Sequence, residues 1–122
     1  MANRGYYAEY EAKKILQSQF GKFRTIKMPR SGYADFFAFN EQNQIVKVVE
    51  VKKRKKEKVF KPRIPHDIEQ FYKLKKFTEN THIPVECWIK LGKSDFRILS
   101  LEEYGNEFIY PNQSKIMEEK QS

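Results

Sequence analysis

The sequence predicts a single α/β domain in which a central mixed β-sheet is flanked by helices. Three observations predict it. The chain has 122 residues, and single domains cluster at roughly 100–150. Hydrophobic residues make up 39 % and aromatics 15 %, enough apolar mass for a core and too much for a disordered chain. The hydrophobic period changes along the chain in the order helix, three strands, helix, two strands. A helix between the third and fourth strands permits the crossover that parallel pairing needs.

Residues 4–20 read as the first helix. Ala8, Ala12, Ile15, Leu16 and Gln19 share one face at a 3.6-residue period, and Gly21 follows where helices commonly end. Glu9 lies at the margin of that stripe, about 60° from its centre at ~100° per residue, so it points along the packed face. Residues 23–28 (FRTIKM), 34–40 (ADFFAFN) and 44–52 (QIVKVVEVK) read as strands, the last two joined by a short polar EQNQ link of hairpin type. A basic loop spans 53–65, punctuated by Pro62 and Pro65. The second helix covers 66–79, where Phe71, Leu74 and Phe77 step by three and share a face with Gln70. Residues 84–91 alternate, with Val85, Cys87, Ile89 and Leu91 on one side, and 95–99 can pair with them across Gly92-Lys93-Ser94. The pattern fades at Gly105. The domain is therefore expected to occupy 1–104, with 105–122 a polar, partly frayed tail.

Composition narrows the function classes. Five glycines and five prolines exclude collagen-like and low-complexity chains. No stretch approaches the roughly 20 apolar residues of a membrane span, and no signal-peptide apolar region is expected. A single cysteine, Cys87, fits a reducing, intracellular compartment. Lys and Arg number 24 against 16 Asp and Glu, for a net formal charge of +8. Residues 52–63 (KKRKKEKVFKPR) hold eight basic residues against one acidic, net +7, leaving +1 for the other 110. Such a local field attracts nucleic acid first and anionic membrane second; alone, it also fits a solvated, solubilising loop.

The residues able to carry chemistry are Asp35, Glu50 and Lys52. Strand residues two apart face the same way, roughly 6.5–7 Å from each other, so Glu50 and Lys52 share a face opposite Val49 and Val51. A hairpin brings Asp35 beside Glu50. Two carboxylates, a backbone carbonyl and waters suit a hard divalent cation such as Mg²⁺. Lys52 beside it could orient or deprotonate a water, or steady negative charge growing on a phosphate. The roles fit phosphodiester hydrolysis. Glu-x-Lys itself occurs three times, at Glu11, Glu50 and Glu118. Only the second ends an apolar run, where a buried acid is costly without a compensating cation. The plain alternative is a salt bridge from Glu50 to a neighbouring lysine.

The combination resembles the PD-(D/E)XK nuclease superfamily and, within it, the archaeal-type Holliday junction resolvases of cells and their viruses. The resemblance covers roughly residues 3–104. It rests on Arg4-Gly5 with Glu9, the segment Lys27-Met28-Pro29-Arg30-Ser31-Gly32, Asp35, Glu50-Val51-Lys52, and Gln70 with Leu74. Ala34 stands where the family has proline and Lys27 where it has arginine, which loses the bidentate phosphate fork; Arg24 and Arg30 are candidates to supply it.

The resemblance implies a restriction-endonuclease-like core and a Mg²⁺-dependent endonuclease, with Mn²⁺ as an alternative, resolving four-way DNA junctions by paired nicks. Asp35, Glu50 and the carbonyl of Val51 would hold metal, and Glu9 would act through the metal or its waters. Lys52 would activate water, Ser31 would position phosphate, and Gln70 would complete the catalytic set. Arg4, Arg24, Lys27, Arg30, Lys53, Arg54, Lys55, Lys56 and Lys58 would bind DNA. A homodimer is implied, with no membrane and no small-molecule cofactor, in the cytoplasm of an archaeal or virus-infected cell. Two readings compete: a related nuclease of repair or restriction type, and a DNA-binding module of the same fold without turnover. His66 and His82 lack metal-ligand spacing, and Cys87 and Trp88 read as packing residues. Tyr6, Tyr7 and Tyr10 either pack or stack on bases.

Overall fold

The structure, a computed structural model, describes residues 4–28, 34–54, 66–93 and 95–111, with the backbone alone at 4–6 and 54. In chain order the elements are α1 (Arg4–Phe20), β1 (Thr25–Lys27), β2 (Phe36–Phe39), β3 (Ile45–Arg54), α2 (His66–Thr81), β4 (Val85–Leu91), β5 (Arg97–Ser100) and α3 (Leu101–Tyr104). One five-stranded sheet runs in the order β1-β2-β3-β4-β5. Pairing is antiparallel except between β3 and β4, which are parallel. The sheet is mixed, as the sequence predicts, and α2 lies in the β3–β4 crossover. Among the described residues no helix is long and apolar enough to cross a membrane.

The β2–β3 hairpin is held by its own link. Asn40 Oδ1 accepts from the backbone N–H groups of Gln42 and Gln44, both at 2.9 Å. Asn43 takes φ 60°, a left-handed conformation that asparagine tolerates. Beyond an irregularity at Ala38/Phe39 the register settles to Phe37↔Val48 and Phe36↔Val49. Extended by one residue, it places Asp35 opposite Glu50.

Each face of the sheet has its own core. On one face α1 packs Ala12 and Leu16 against Phe36, Val49 and Trp88, with Phe20, Val51 and Phe96 closing the edges. On the other, Phe71 and Leu74 of α2 meet Val48, Cys87, Ile89 and Leu99 beside Leu101, Tyr104 and Ile109. The central strands are thus buried on both sides, which explains the near-continuous apolar run of β3. Buried Lys90 of β4, on the α1 face, is paired with Glu11 of α1.

Several expectations change. The buried stripe of α1 is the single row Ala8, Ala12 and Leu16; Ile15 and Gln19 are exposed, because a helix on a flat sheet buries only a narrow arc. β1 is shorter than expected. Residues Lys22–Arg24 form a 3₁₀ turn after Gly21, whose φ of 101° suits glycine, and Phe23 is 89 % exposed. Tyr7 and Tyr10 are exposed too, the latter beneath the Lys14 ammonium at 5.2 Å. Past Leu99, Ser100 caps α3 through a capping box with Glu103. The helical path then continues through a π turn at Gly105–Ile109, with Gly105 and Ile109 buried. Residues 29–33, 55–65, 94 and 112–122 lie outside the described residues, so the basic-loop reading, the Gly92-Lys93-Ser94 turn at Ser94 and the outer tail rest on sequence.

Candidate active site

The site forms where the β2–β3 hairpin meets the first turn of α2. Strand alternation breaks just before β2: Ala34 belongs to the α2-side core and Phe36 to the α1-side core, with a bend at residues 34–35 between them. Asp35 is pinned at that bend. Its N–H donates to the Val49 carbonyl at 3.0 Å and its carbonyl accepts from Met28 N–H at 2.8 Å. Its Oδ2 accepts from Val51 N–H at 2.7 Å. The carboxylate is therefore held at the edge between the two layers.

Glu50 and Lys52, two apart on β3, point to the α2 face and are 8 % and 5 % exposed. The Lys52 ammonium donates to Gln70 Oε1 at 2.8 Å and Asp67 Oδ1 at 3.1 Å. It also lies 3.9 Å from Glu50 Oε1 and 5.8 Å from the Tyr104 ring centre. Gln70 hydrogen-bonds the Glu50 carboxylate as well, so one amide joins acid and base. From α1, Glu9 reaches the Asp35 carboxyl and pairs with Lys27 of β1 at 3.0 Å.

Burial dominates the electrostatics. Desolvation, with the neighbouring Asp35 carboxyl behind it, pushes Glu50 up to about 8, against the pull of Lys52 and the Gln70 hydrogen bond. Asp35 rises to about 6, driven by desolvation and by Glu9 and opposed by the Val51 N–H. Cys87, next to Glu50 across the parallel pair, is pushed up to about 12 by burial, which leaves its thiol inert.

The formal charges explain this tension. Glu9 is matched by Lys27 and Asp67 by Lys52. Asp35 and Glu50 remain, a buried pair that would carry −2 with both carboxyls ionised, and their raised values express the cost of that charge without a cation. That deficit suits a divalent cation, and two carboxylates with a backbone carbonyl and waters are the oxygen donors that Mg²⁺ takes. Among the described residues, no group of three or more His, Cys, Asp or Glu is arranged to hold a metal ion. The fit therefore rests on the two-carboxylate set, with Glu9 already engaged by Lys27.

Five residues singled out from sequence thus converge: Glu9, Asp35, Glu50, Lys52 and Gln70. Lys27 joins them through Glu9. Ser31, Arg30, Lys55, Lys56 and Lys58 lie outside the described residues, as do the side chains of Arg4 and Arg54. Arg24 and Lys53 are half-buried. Sequence reasoning missed Asp67, 2 % exposed, and Tyr104. The signal for Asp67 was available: it sits three residues before Gln70 and seven before Leu74, on the inward face of α2.

No family model and no curated protein matches the chain. Among solved structures it is similar to Archaeoglobus fulgidus Hjc, a Holliday junction resolvase from an archaeal hyperthermophile. The identity is 19 %, over 82 % of this chain and 75 % of that one, with a TM-score of 0.50. The two share a fold. The α/β domain with its five-stranded mixed sheet between helices is the Hjc architecture, and at this identity the similarity is one of fold.

Proposed function

We propose that this chain is a divalent-metal-dependent DNA endonuclease that resolves four-way junctions by paired nicks, acting as a homodimer in the cytoplasm of an archaeal or virus-infected cell. The observation that carries the reading is the buried Asp35–Glu50 pair beside the fixed ammonium of Lys52, two carboxyls whose ionisation is costly until a cation offsets it. The shared fold with a protein described as a Holliday junction resolvase supports it.

In this reading Asp35, Glu50 and the Val51 carbonyl would hold Mg²⁺ or Mn²⁺, with Glu9 acting through water. When bound, the cation supplies Lewis-acid polarisation of the scissile phosphate. Lys52 orients the attacking water and stabilises charge developing on the phosphate. Gln70 keeps Lys52 and Glu50 in register. Ser31 contacts phosphate. The basic run from Lys52 onward tracks the DNA backbone, together with Arg4, Arg24, Lys27 and Arg30, so binding should weaken steeply with salt. A two-fold dimer matches the two equivalent strands of a junction.

The test is cleavage of a synthetic four-way junction and of its component duplexes, with Mg²⁺ and with EDTA. Paired symmetric nicks in the junction alone support the proposal. Equal cutting of linear duplex points to a repair- or restriction-type nuclease of the same superfamily. No cutting above the EDTA control, in Mg²⁺ or Mn²⁺, leaves a DNA-binding module and overturns the enzymatic reading.

A further inference from the structure

Asp67 has no place in the catalytic set read from the sequence, yet it is among the most deeply buried charged side chains described. It enters from the first turn of α2 and accepts one hydrogen bond from the Lys52 ammonium at 3.1 Å, while Gln70 Oε1 accepts a second at 2.8 Å. An ammonium can donate three. One is left, on a group 3.9 Å from Glu50. A buried carboxylate against a buried ammonium is a poor device for stability, since an apolar pair of similar volume usually does as well. Its effect here is on charge and aim. Without Asp67, the positive charge of Lys52 would fall to Glu50, 3.9 Å away, and the ionised Asp35–Glu50 pair would present −1 to a cation instead of −2.

We propose that Asp67 is a positioning residue: by claiming the Lys52 ammonium it fixes the direction of the one remaining donor and leaves Asp35 and Glu50 their full charge for a divalent cation. This rests on the metal-nuclease reading above. It assigns Lys52 the role of a held cation toward phosphate, in preference to that of a proton acceptor. In this assignment Asp67 acts through Lys52 and is not itself a ligand of metal or phosphate.

The test uses Asp67→Asn, Asp67→Glu, Lys52→Met and the double variant Lys52→Met/Asp67→Asn in the full chain. The first readout is Mn²⁺ binding without DNA. Asp67→Asn should weaken it at least five-fold, and in the Lys52→Met background the same change should not weaken it further. The second is junction cleavage: Asp67→Asn should lower kcat at least ten-fold while junction affinity in EDTA stays within two-fold. The third compares the two single variants. A packing role favours the isosteric Asn over the longer Glu; a charge role reverses that order, so Asp67→Glu should retain more Mn²⁺ affinity and more turnover. Full Mn²⁺ affinity in Asp67→Asn, additive losses in the double variant, or Asn outperforming Glu would each overturn the proposal. Should Asp67→Asn fail to fold, the Glu variant with the ¹⁵Nζ NMR signal of Lys52 decides. A protected ammonium resonance that survives in Asp67→Glu supports the pairing, and its absence in the unaltered protein refutes it. If the unaltered protein binds Mn²⁺ and shows that resonance but cuts no DNA, the nuclease reading fails and the Asp67–Lys52 assignment stands.

Discussion

Replacing Glu50 by glutamine should inactivate the proposed nuclease and, without metal, stabilise it. In the folded protein Glu50 is pushed from 4.5 up to about 8, mainly by desolvation and then by Asp35. The unfolded chain releases that proton near 4.5, so between these limits the folded state binds more protons than the unfolded one. The contribution of Glu50 to stability is fully present below about pH 4.5 and is lost as pH rises toward 8. Each pKa unit is worth about 1.4 kcal/mol, so the loss is on the order of 5 kcal/mol, comparable with the entire stability of a small domain at roughly 5–15 kcal/mol. Asp35 adds to it in the same direction between 3.8 and about 6, though the two carboxyls share one repulsion and their effects do not sum. A glutamine side chain carries no charge at any pH and keeps the size of the glutamate it replaces. Urea unfolding in EDTA from pH 6 to 8.5, above the range of Asp35, measures the effect: the unaltered protein should lose stability steadily, while Glu50→Gln stays nearly flat and is the more stable of the two at pH 8. Mg²⁺ should restore the unaltered protein at pH 8 and leave the variant unchanged. Parallel pH curves for the two proteins would refute the claim that Glu50 is held under electrostatic tension.

Three other outcomes test the packing. A Cβ at Gly105 would lie 2.7 Å from the Phe71 ring, so Gly105→Ala should cost ~1–3 kcal/mol by overpacking, read as a drop in the urea midpoint. Leu16→Ala empties the centre of the α1-side core and should cost ~2–5 kcal/mol in the same assay, with a shift in Trp88 fluorescence. Cys87, buried and pushed up to about 12, should resist a thiol-specific disulfide reagent at pH 8 in the folded protein and react fully once unfolded.

The convergence of Asp35 and Glu50 could be read from sequence because hairpin geometry is local. A short polar link and a two-residue period leave little freedom in which side chains meet. The Lys52 partnership was less legible. Asp67 lies on the apolar face of α2, but a hydrophobic pattern treats a charged residue there as a gap and does not ask what it pairs with. On α1 the pattern had the opposite fault: Ile15 and Gln19 satisfy the helical period yet lie outside the arc the sheet covers. The segment after Leu99 escaped for a third reason. Its buried positions, Leu101, Tyr104, Gly105 and Ile109, cross a π turn, and the wider turn shifts the phase a 3.6-residue search depends on. Tyr104 supplies the ring over Lys52 from within that segment.

The lengths of the five strands bear on how the molecule behaves in a crowded solution. The longest, β3, has ten residues and lies at the centre, whereas the two outer strands have three and four. Long, flat outer strands recruit the strands of other molecules and seed fibres; short charged ones do not. Lys27 ends one outer strand, and Arg97 opens the other, tied to Glu107. The segment richest in aggregation-prone sequence, IVKVVEV, is thereby sealed between neighbours on both sides. Only unfolding would release it, so the strand that carries Glu50 and Lys52 is also the one the chain has most reason to keep folded.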